Sequence, residues 1–256
     1  MTTQQTDGHK RLVGRLALVT GATRGIGRAI ALAFAQEGAD LILLGRTAGA
    51  LEELDDTVKG LGVSSTLVPL DIKDFDALDR LGEAIHGRWG KLDILVGNAG
   101  VLGPISPVGH ITPKDWQGLL DVNVTANWRL MRSLDPLLRQ SDAGRAIFVS
   151  SALARAPRAF WGGYAMSKAA LEAVVLAYAA ECQNTAVRVN LVHPGAVRTA
   201  LRAKAAPGED PETLPRPEEL GPLFVSLAEP SCQRHGDVVR FERDMPSPAS
   251  GPEIQA

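Results

Sequence analysis

From Leu16 onward, short apolar runs alternate with longer segments whose apolar residues recur at helical spacing. The runs are LALVT (16–20), LILLG (41–45), TLVPL (66–70), DILVG (93–97), RAIFVS (145–150), VRVNLV (187–192) and DVVRF (237–241). Continuous apolarity over such short lengths predicts strands buried on both faces, as in parallel sheets. The segments between them are long enough for crossover helices. The first is the plainest: Ile26, Ile30 and Phe34 lie four apart, with Ala29 and Ala33 beside them and Gly38 as a stop. Strands alternating with helices through right-handed crossovers predict an α/β fold. The expected form is a doubly wound, mostly parallel seven-stranded sheet with helices on both faces. One domain over 12–242 is expected, with flexible tails at 1–11 and 243–256. The Pro-rich stretch 202–217 is expected to be a mobile loop.

Composition narrows the classes of function. The chain has 256 residues, 45% of them hydrophobic and 22% charged, with a net charge of -2. That is ordinary for a globular protein and gives no footprint for nucleic acid or an anionic membrane. Cys182 and Cys232 form no C-x-x-C pair, so reduced thiols are expected. His9, His86, His110, His193 and His235 are scattered without metal-ligand spacing, so no metal site is expected. The polar stretch Met1–Arg11 lacks the apolar core of a signal peptide, and no apolar run reaches bilayer length. The expected location is the cytoplasm.

The first strand runs into Thr20-Gly21-Ala22-Thr23-Arg24-Gly25-Ile26-Gly27, which opens the first helix. Such a loop can cradle a dinucleotide. Gly21 permits the tight turn, Gly25 leaves room for the pyrophosphate, and Gly27 lets helix and strand approach. The helix N-terminus then offers N–H groups and a positive dipole to the phosphates. A lone glycine pattern is weak, but strand before and helix after is the context that supports it. An acid at the tip of the second strand would hold the ribose 2′-OH of NAD; this chain has Arg46 there, with Arg24 in the glycine loop. A guanidinium can grip a 2′-phosphate that a carboxylate would repel, so NADP(H) is favoured over NAD(H). Two solvated arginines are the plain alternative.

Tyr164 and Lys168 are four apart and share a helix face. A phenol titrates near pH 10, and a neighbouring ammonium favours the phenolate, which brings it nearer to working pH. Ser151 lies thirteen residues before Tyr164, at the end of the fifth strand. In this architecture ligands bind at that edge.

Together these residues resemble the short-chain dehydrogenase/reductase family, over nearly all of 16–241. The resemblance rests on Thr20–Gly27, Asp71, Asn98-Ala99-Gly100, Asn123, Ser151, Tyr164–Lys168 and Pro194–Thr199, in that order. The chain also resembles a subgroup of bacterial members with no established substrate. The resemblance implies a Rossmann-type domain and an oxidoreductase that moves a hydride between NADP(H) and a carbonyl or alcohol carbon. It implies Tyr164 as acid or base, Ser151 as hydrogen-bond partner of the substrate oxygen, Lys168 on the tyrosine and the nicotinamide ribose, and Asn123 positioning a relay water. Gly21, Thr23, Arg24, Gly25, Ile26, Gly27 and Arg46 would take the phosphates and ribose. Asp71 and Ile72 would meet the adenine. Asn98, Ala99 and Gly100 would back the ribose, and Pro194, Gly195, Val197 and Thr199 would seat the nicotinamide. Ser150 is out of the family register. The family often ends in V-D-G-G, where this chain has Val239-Arg240-Phe241-Glu242-Arg243; subunit contacts usually made there are in doubt.

Two further functions are weighed. A module that senses NADPH without turnover would be expected to lack one of Tyr164, Lys168 and Ser151, and all are present. An epimerase or dehydratase fits poorly with the short chain and compact glycine spacing. The substrate pocket is expected from 101–107, 152–163 and the loop after Thr199, where Arg155, Arg158, Phe160 and Trp161 leave anionic and aromatic substrates open. Finally, AALEAVVLAYAA (169–180) carries Glu172 as its only charge. Its outer face therefore needs a cover. The crossover 113–139, with Trp116, Leu119, Leu120, Trp128, Leu130 and Met131, could pack beside it. Two such helices from each subunit would give a homodimer, the interface the resemblance also implies, with a homotetramer open. The competing cover is the loop after Thr199.

Overall fold

The computed structural model describes residues 10–242. Seven parallel strands form one sheet in the order β3-β2-β1-β4-β5-β6-β7. They are β1 (Leu16–Thr20), β2 (Asp40–Gly45), β3 (Ser65–Pro69), β4 (Ile94–Gly97), β5 (Arg145–Val149), β6 (Arg188–His193) and β7 (Val238–Arg240). Each apolar run became a strand, displaced by a residue or so at its ends. The order reverses between β1 and β4, and that is where a doubly wound sheet opens a crevice at its carboxyl edge.

Alternate residues of each strand feed separate cores. Ala17 and Val19 of β1 point to the face covered by α1 (Gly25–Gln36), α2 (Ala48–Gly60) and α8 (Gly221–Ala228). Leu16 and Leu18 point to the other, covered by α3 (Phe75–Trp89), α5 (Ala126–Gln140) and α6 (Gly162–Glu181). Ile30 and Phe34 of α1 are fully buried, as their four-residue spacing predicts. Gly38 ends that helix with φ +88°. Its N–H donates to the Ala35 carbonyl, and that of Ala39 to the Phe34 carbonyl, a Schellman closure. The fourth crossover is α4 (Pro113–Leu120) continued into α5 through one π-helical turn, Asp121–Thr125. Among the described residues no helix is long and apolar enough to cross a membrane.

Three expectations need correction or restriction. Arg11 is not loose: its guanidinium donates to Glu37 Oε1 at 2.8 Å and to Glu229 Oε1 at 2.8 Å, clamping it between the ends of α1 and α8. The stretch 202–217 is not an irregular loop either. It holds the end of α7 (Ala200–Ala205), a 3-10 turn at Pro211–Thr213 and the start of another at Pro217–Leu220. Arg198 Nη2 meets Glu212 at 2.6 Å and Arg202 Nε meets Glu209 at 2.5 Å, so charge pairs fold the prolines back against β6's exit. The rest of the expected tails, 1–9 and 243–256, lies outside the described residues, as does Arg243 in the C-terminal departure.

Candidate active site

The glycine loop joins β1 to α1 at the carboxyl edge. Gly21 and Gly25 have φ of +63° and +55°, which only glycine adopts readily. A Cβ on Gly27 would sit 2.2 Å from the Gly21 carbonyl and 2.5 Å from Asn98 Nδ2, so this glycine is demanded by packing. A Cβ on Gly25 would meet only the Thr199 methyl, at 3.4 Å, so the space above it is open toward β6's exit. Arg24 caps α1 in extended backbone but makes no side-chain cap bond, and the first turn has no acid. The helix N-terminus therefore keeps N–H donors for an anion. Thr23 packs its methyl over Gly45, which brings the loop beside the tip of β2. Arg24 and Arg46 are both exposed, and neither forms an ion pair among the described residues. Uncapped donors, an open glycine and two unpaired guanidiniums fit a phosphorylated dinucleotide.

Around the cradle, β4's exit is stitched to β1. Thr20 Oγ1 accepts from the N–H groups of Asn98 (3.0 Å) and Ala99 (3.1 Å) and donates to the Val96 carbonyl. Asn98 Nδ2 donates to the Thr20 carbonyl at 2.9 Å. Asn98 is thus a brace for the glycine loop. Asp71 closes the turn after β3, its Oδ1 accepting from the Lys73 N–H, while Ile72 is buried. Pro194 and Val197 are buried behind an exposed Gly195 with φ +73°, and Thr199 caps α7 by accepting from the Arg202 N–H.

The tyrosine, lysine and serine converge. Ser151 caps the 3-10 turn Ala152–Ala154, accepting from the Leu153 N–H at 3.2 Å. Tyr164 and Lys168 lie one turn apart on α6, the ammonium 5.9 Å from the phenol ring centroid. Trp161 meets Tyr164 edge-on at 6.3 Å. Lys168 is 3% exposed and donates to the Val149 carbonyl at 2.8 Å. A Cβ on Gly100 would lie 3.5 Å from Lys168 Nζ, so that glycine keeps the ammonium approachable. Asn123 sits in the π turn. Its Nδ2 donates to the Val101 carbonyl and Ser167 Oγ, both at 2.9 Å, and its Oδ1 accepts from the Val101 N–H at 2.8 Å. Both amide hydrogens are spent on protein, so a water could be held here only through acceptor atoms.

The electrostatics differ from the sequence expectation. Burial pushes the Tyr164 phenol up to about 12, with the Ser151 hydroxyl pulling the other way. Burial also pushes Lys168 down to about 8, opposed by the charge of Glu172. The ammonium is drawn to the Val149 carbonyl, and loss of hydration dominates at the phenol. The tyrosine is therefore protonated at neutral pH, the form that can donate.

Sequence reasoning missed the layer beneath. Ser150, Arg155 and His193 converge on Glu172, which is 5% exposed and turned into the protein. The signal was available: a lone carboxylate in an apolar helix, one turn past Lys168. With Glu172 inside, α6 shows Ala169, Ala173, Ala177 and Ala180 outward. Of the crossover expected beside it, α4 and the π turn touch α6, and α5, which leans chiefly on α3, meets it through Asp135, whose Oδ1 accepts from Tyr178 Oη at 2.7 Å.

The short chain dehydrogenase family pattern matches residues 15–210. The chain is 39% identical to the Escherichia coli oxidoreductase YciK over 216 residues, 83% of this chain and 85% of that one. The solved structure of a short chain dehydrogenase from Salmonella enterica serovar Typhi superposes with a TM-score of 0.88 at 38% identity, covering 91% of this chain and 97% of the other. A Shigella flexneri protein solved in complex with NADP superposes at 0.85 with 37% identity, covering 91% and 98%.

Proposed function

The chain belongs to the short chain dehydrogenase family, an oxidoreductase working on CH–OH and C=O groups with NAD(P), and from that premise we propose that it is an NADP(H)-dependent carbonyl reductase with Tyr164 as proton donor. The observation that carries the proposal is the buried Lys168, held by the Val149 carbonyl within reach of the Tyr164 ring and open past Gly100.

Bound NADPH supplies the hydride to the carbonyl carbon. Ser151 orients the substrate oxygen by hydrogen bonding. As hydride addition turns that oxygen into an alkoxide, Tyr164 Oη passes it a proton, which gives the alcohol and leaves a phenolate. Lys168 holds a positive charge beside the phenolate and would offer hydrogen-bond donors to the nicotinamide ribose when the cofactor is bound. Asn123 keeps Val101 and Ser167 in place, and so the floor of the proton path. In alcohol oxidation each proton runs backwards.

NADP is favoured over NAD by Arg24 and Arg46, exposed and without ion pairs among the described residues, and by the absence of an acid at the β2 tip. Asp71 and Ile72 would border the adenine, with the exits of β4 and β6 bordering the ribose and nicotinamide. The segments at the rim expose apolar side chains, Val101, Ile105, Val108 and Phe160 after β4 and β5 and Leu201 on α7 after β6, with Arg158 also exposed. Arg155 is engaged by Glu172. An apolar ketone or aldehyde suits this rim better than an anion. The uncharged outer face of α6 supports a homodimer or homotetramer; light scattering giving a mass near 27.1 kDa at all concentrations would refute assembly. The activity is tested by mixing the protein and NADPH with a panel of apolar and anionic aldehydes and ketones and following NADPH absorbance. Oxidation is expected with apolar members, and no oxidation with any member would overturn the proposal.

A further inference from the structure

Glu172 is a carboxylate with little access to water, and such a group is costly unless donors surround it. Its donors come from three places. Ser150 Oγ, at the end of β5, donates to Oε1 at 2.8 Å. His193 Nε2, at the end of β6, meets the same oxygen at 2.5 Å. Arg155 Nε, from the loop after Ser151, meets Oε2 at 2.9 Å. Burial raises the carboxyl's affinity for a proton, but His193, Arg155 and Ser150 outweigh it and hold the pKa below the ordinary range. Glu172 is therefore an anion at neutral pH.

On a helix, residues four apart are neighbours, and four residues before Glu172 stands Lys168, itself buried. No direct ion pair joins them. The groups facing Lys168 are few: Tyr164 and Glu172 from its own helix, the Val149 carbonyl of β5, Asn123 of the π turn and the Gly100 backbone. Only Glu172 among these is an anion at neutral pH. Arg155 and His193 lie behind Glu172, and the positive charge of Arg155 offsets part of its field.

We infer that Glu172 is a positioning residue: a buried counter-charge, clamped by Ser150, His193 and Arg155, that keeps Lys168 an ammonium in the site. With Glu172 present burial brings the lysine down to about 8; burial alone would take the proton at lower pH still, and the lysine would lose its hold on the ribose and on the phenolate. The inference rests on Lys168 contacting NADPH, as proposed above, but not on turnover.

The test is NADPH affinity against pH, read by NADPH fluorescence between about pH 6 and 10, a range that spans the lysine's titration. Wild type should lose affinity along an alkaline limb as Lys168 deprotonates. Glu172→Gln, which keeps the shape and removes the charge, should move that limb to lower pH. At about pH 8 its affinity should be several-fold weaker than that of wild type, the effect of one charge a helical turn away. Arg155→Ala should move the limb the other way, because it unmasks the carboxylate; half-exposed, this side chain can be removed even if the Gln variant does not fold. A Glu172 that merely supports packing would lower Tm and leave both limbs unmoved, and that result overturns the inference. So does an acidward shift in Arg155→Ala. A wild type with no alkaline limb would remove Lys168 from NADPH binding, and the inference with it. Carbonyl turnover is not needed for any of these readings, so failure of the reductase proposal is seen separately.

Discussion

Asp93 at the amino edge of the sheet and Glu172 at its carboxyl edge are both buried carboxylates, and the fold uses them differently. At the amino edge Asp93 is 0% exposed and accepts from the Leu16 N–H at 2.9 Å, Ser141 Oγ at 2.5 Å and Lys91 Nζ at 2.9 Å, with Arg15 Nη1 at 3.9 Å. Arg15 in turn donates to the Ala143 carbonyl and to Asp142. The charge is spent on closing β1, β4 and the turn before β5 upon one another. At the carboxyl edge Glu172 also has three hydrogen-bond donors, but the groups around it keep capacity to spare. Among the described residues Lys168 makes one protein hydrogen bond, Arg24 and Arg46 make no ion pair, and the α1 N-terminus has no side-chain cap. Orphaned atoms do not separate the edges, since Arg15 Nε and His193 Nδ1 both lack partners. Buried charge thus does not mark a site by itself. Charge with unspent donors, placed where strands and helices diverge, does.

That contrast can be broken or sharpened by measurement. The largest effect is expected at the amino edge. Asp93→Ala leaves Arg15 without its buried partner and should cost about 3–5 kcal/mol of stability in denaturant unfolding. NADPH binding by the remaining folded protein should be unchanged; a loss of binding without a loss of stability would place Asp93 in the site. Tyr164→Phe should do the opposite. Turnover should fall by at least ~10²-fold, the scale of a lost acid–base group, while Tm and NADPH affinity hold. A Phe variant of near-native rate would remove Tyr164 from the chemistry.

Next comes Arg46→Asp. Loss of charged hydrogen bonds to a 2′-phosphate should weaken NADPH roughly tenfold or more, with NADH unaffected or improved. Equal affinities of wild type for the two coenzymes would refute the NADP preference. The smallest effect is with acid. Burial raises the Asp93 pKa, but hydrogen bonds from Ser141, Leu16 and Lys91 outweigh it, so the folded value lies below the ordinary one. A depressed folded pKa contributes stability above the unfolded pKa of about 4, which is lost as pH falls through the folded pKa. Thermal melts of the wild type should therefore fall on acidification below about pH 4, and those of Asp93→Asn less steeply. Parallel curves would show that Asp93 does not contribute this slope.

Strand and helix positions were legible because each depends on a local pattern: seven apolar runs, and a four-residue spacing closed by Gly38. The glycine loop was legible because Gly21 and Gly25 answer to a backbone conformation, and Gly27 to a close approach, that few residues can satisfy. The tyrosine, lysine and serine could be named from spacing on one helix and the end of one strand. Their electrostatics could not, since the pKa values of Tyr164 and Lys168 follow from how deeply each is packed. The stretch 202–217 looked irregular because proline and charge were counted along the chain, whereas Arg198 and Arg202 find Glu212 and Glu209 by folding back.

By itself, then, the sequence determined the alternation of strand and helix and the cradle's glycines, and it named the proposed catalytic tyrosine, lysine and serine, all from patterns along the chain. Tertiary structure alone decided that Glu172 faces inward. Its donors Ser150, Arg155 and His193 lie 22, 17 and 21 residues away and meet it only when β5, β6 and α6 pack together. Helical periodicity says which residues share a face, but not whether that face looks onto water or onto a cation and a hydroxyl brought from another strand. A buried charge is settled by its partners, and partners are chosen by the fold.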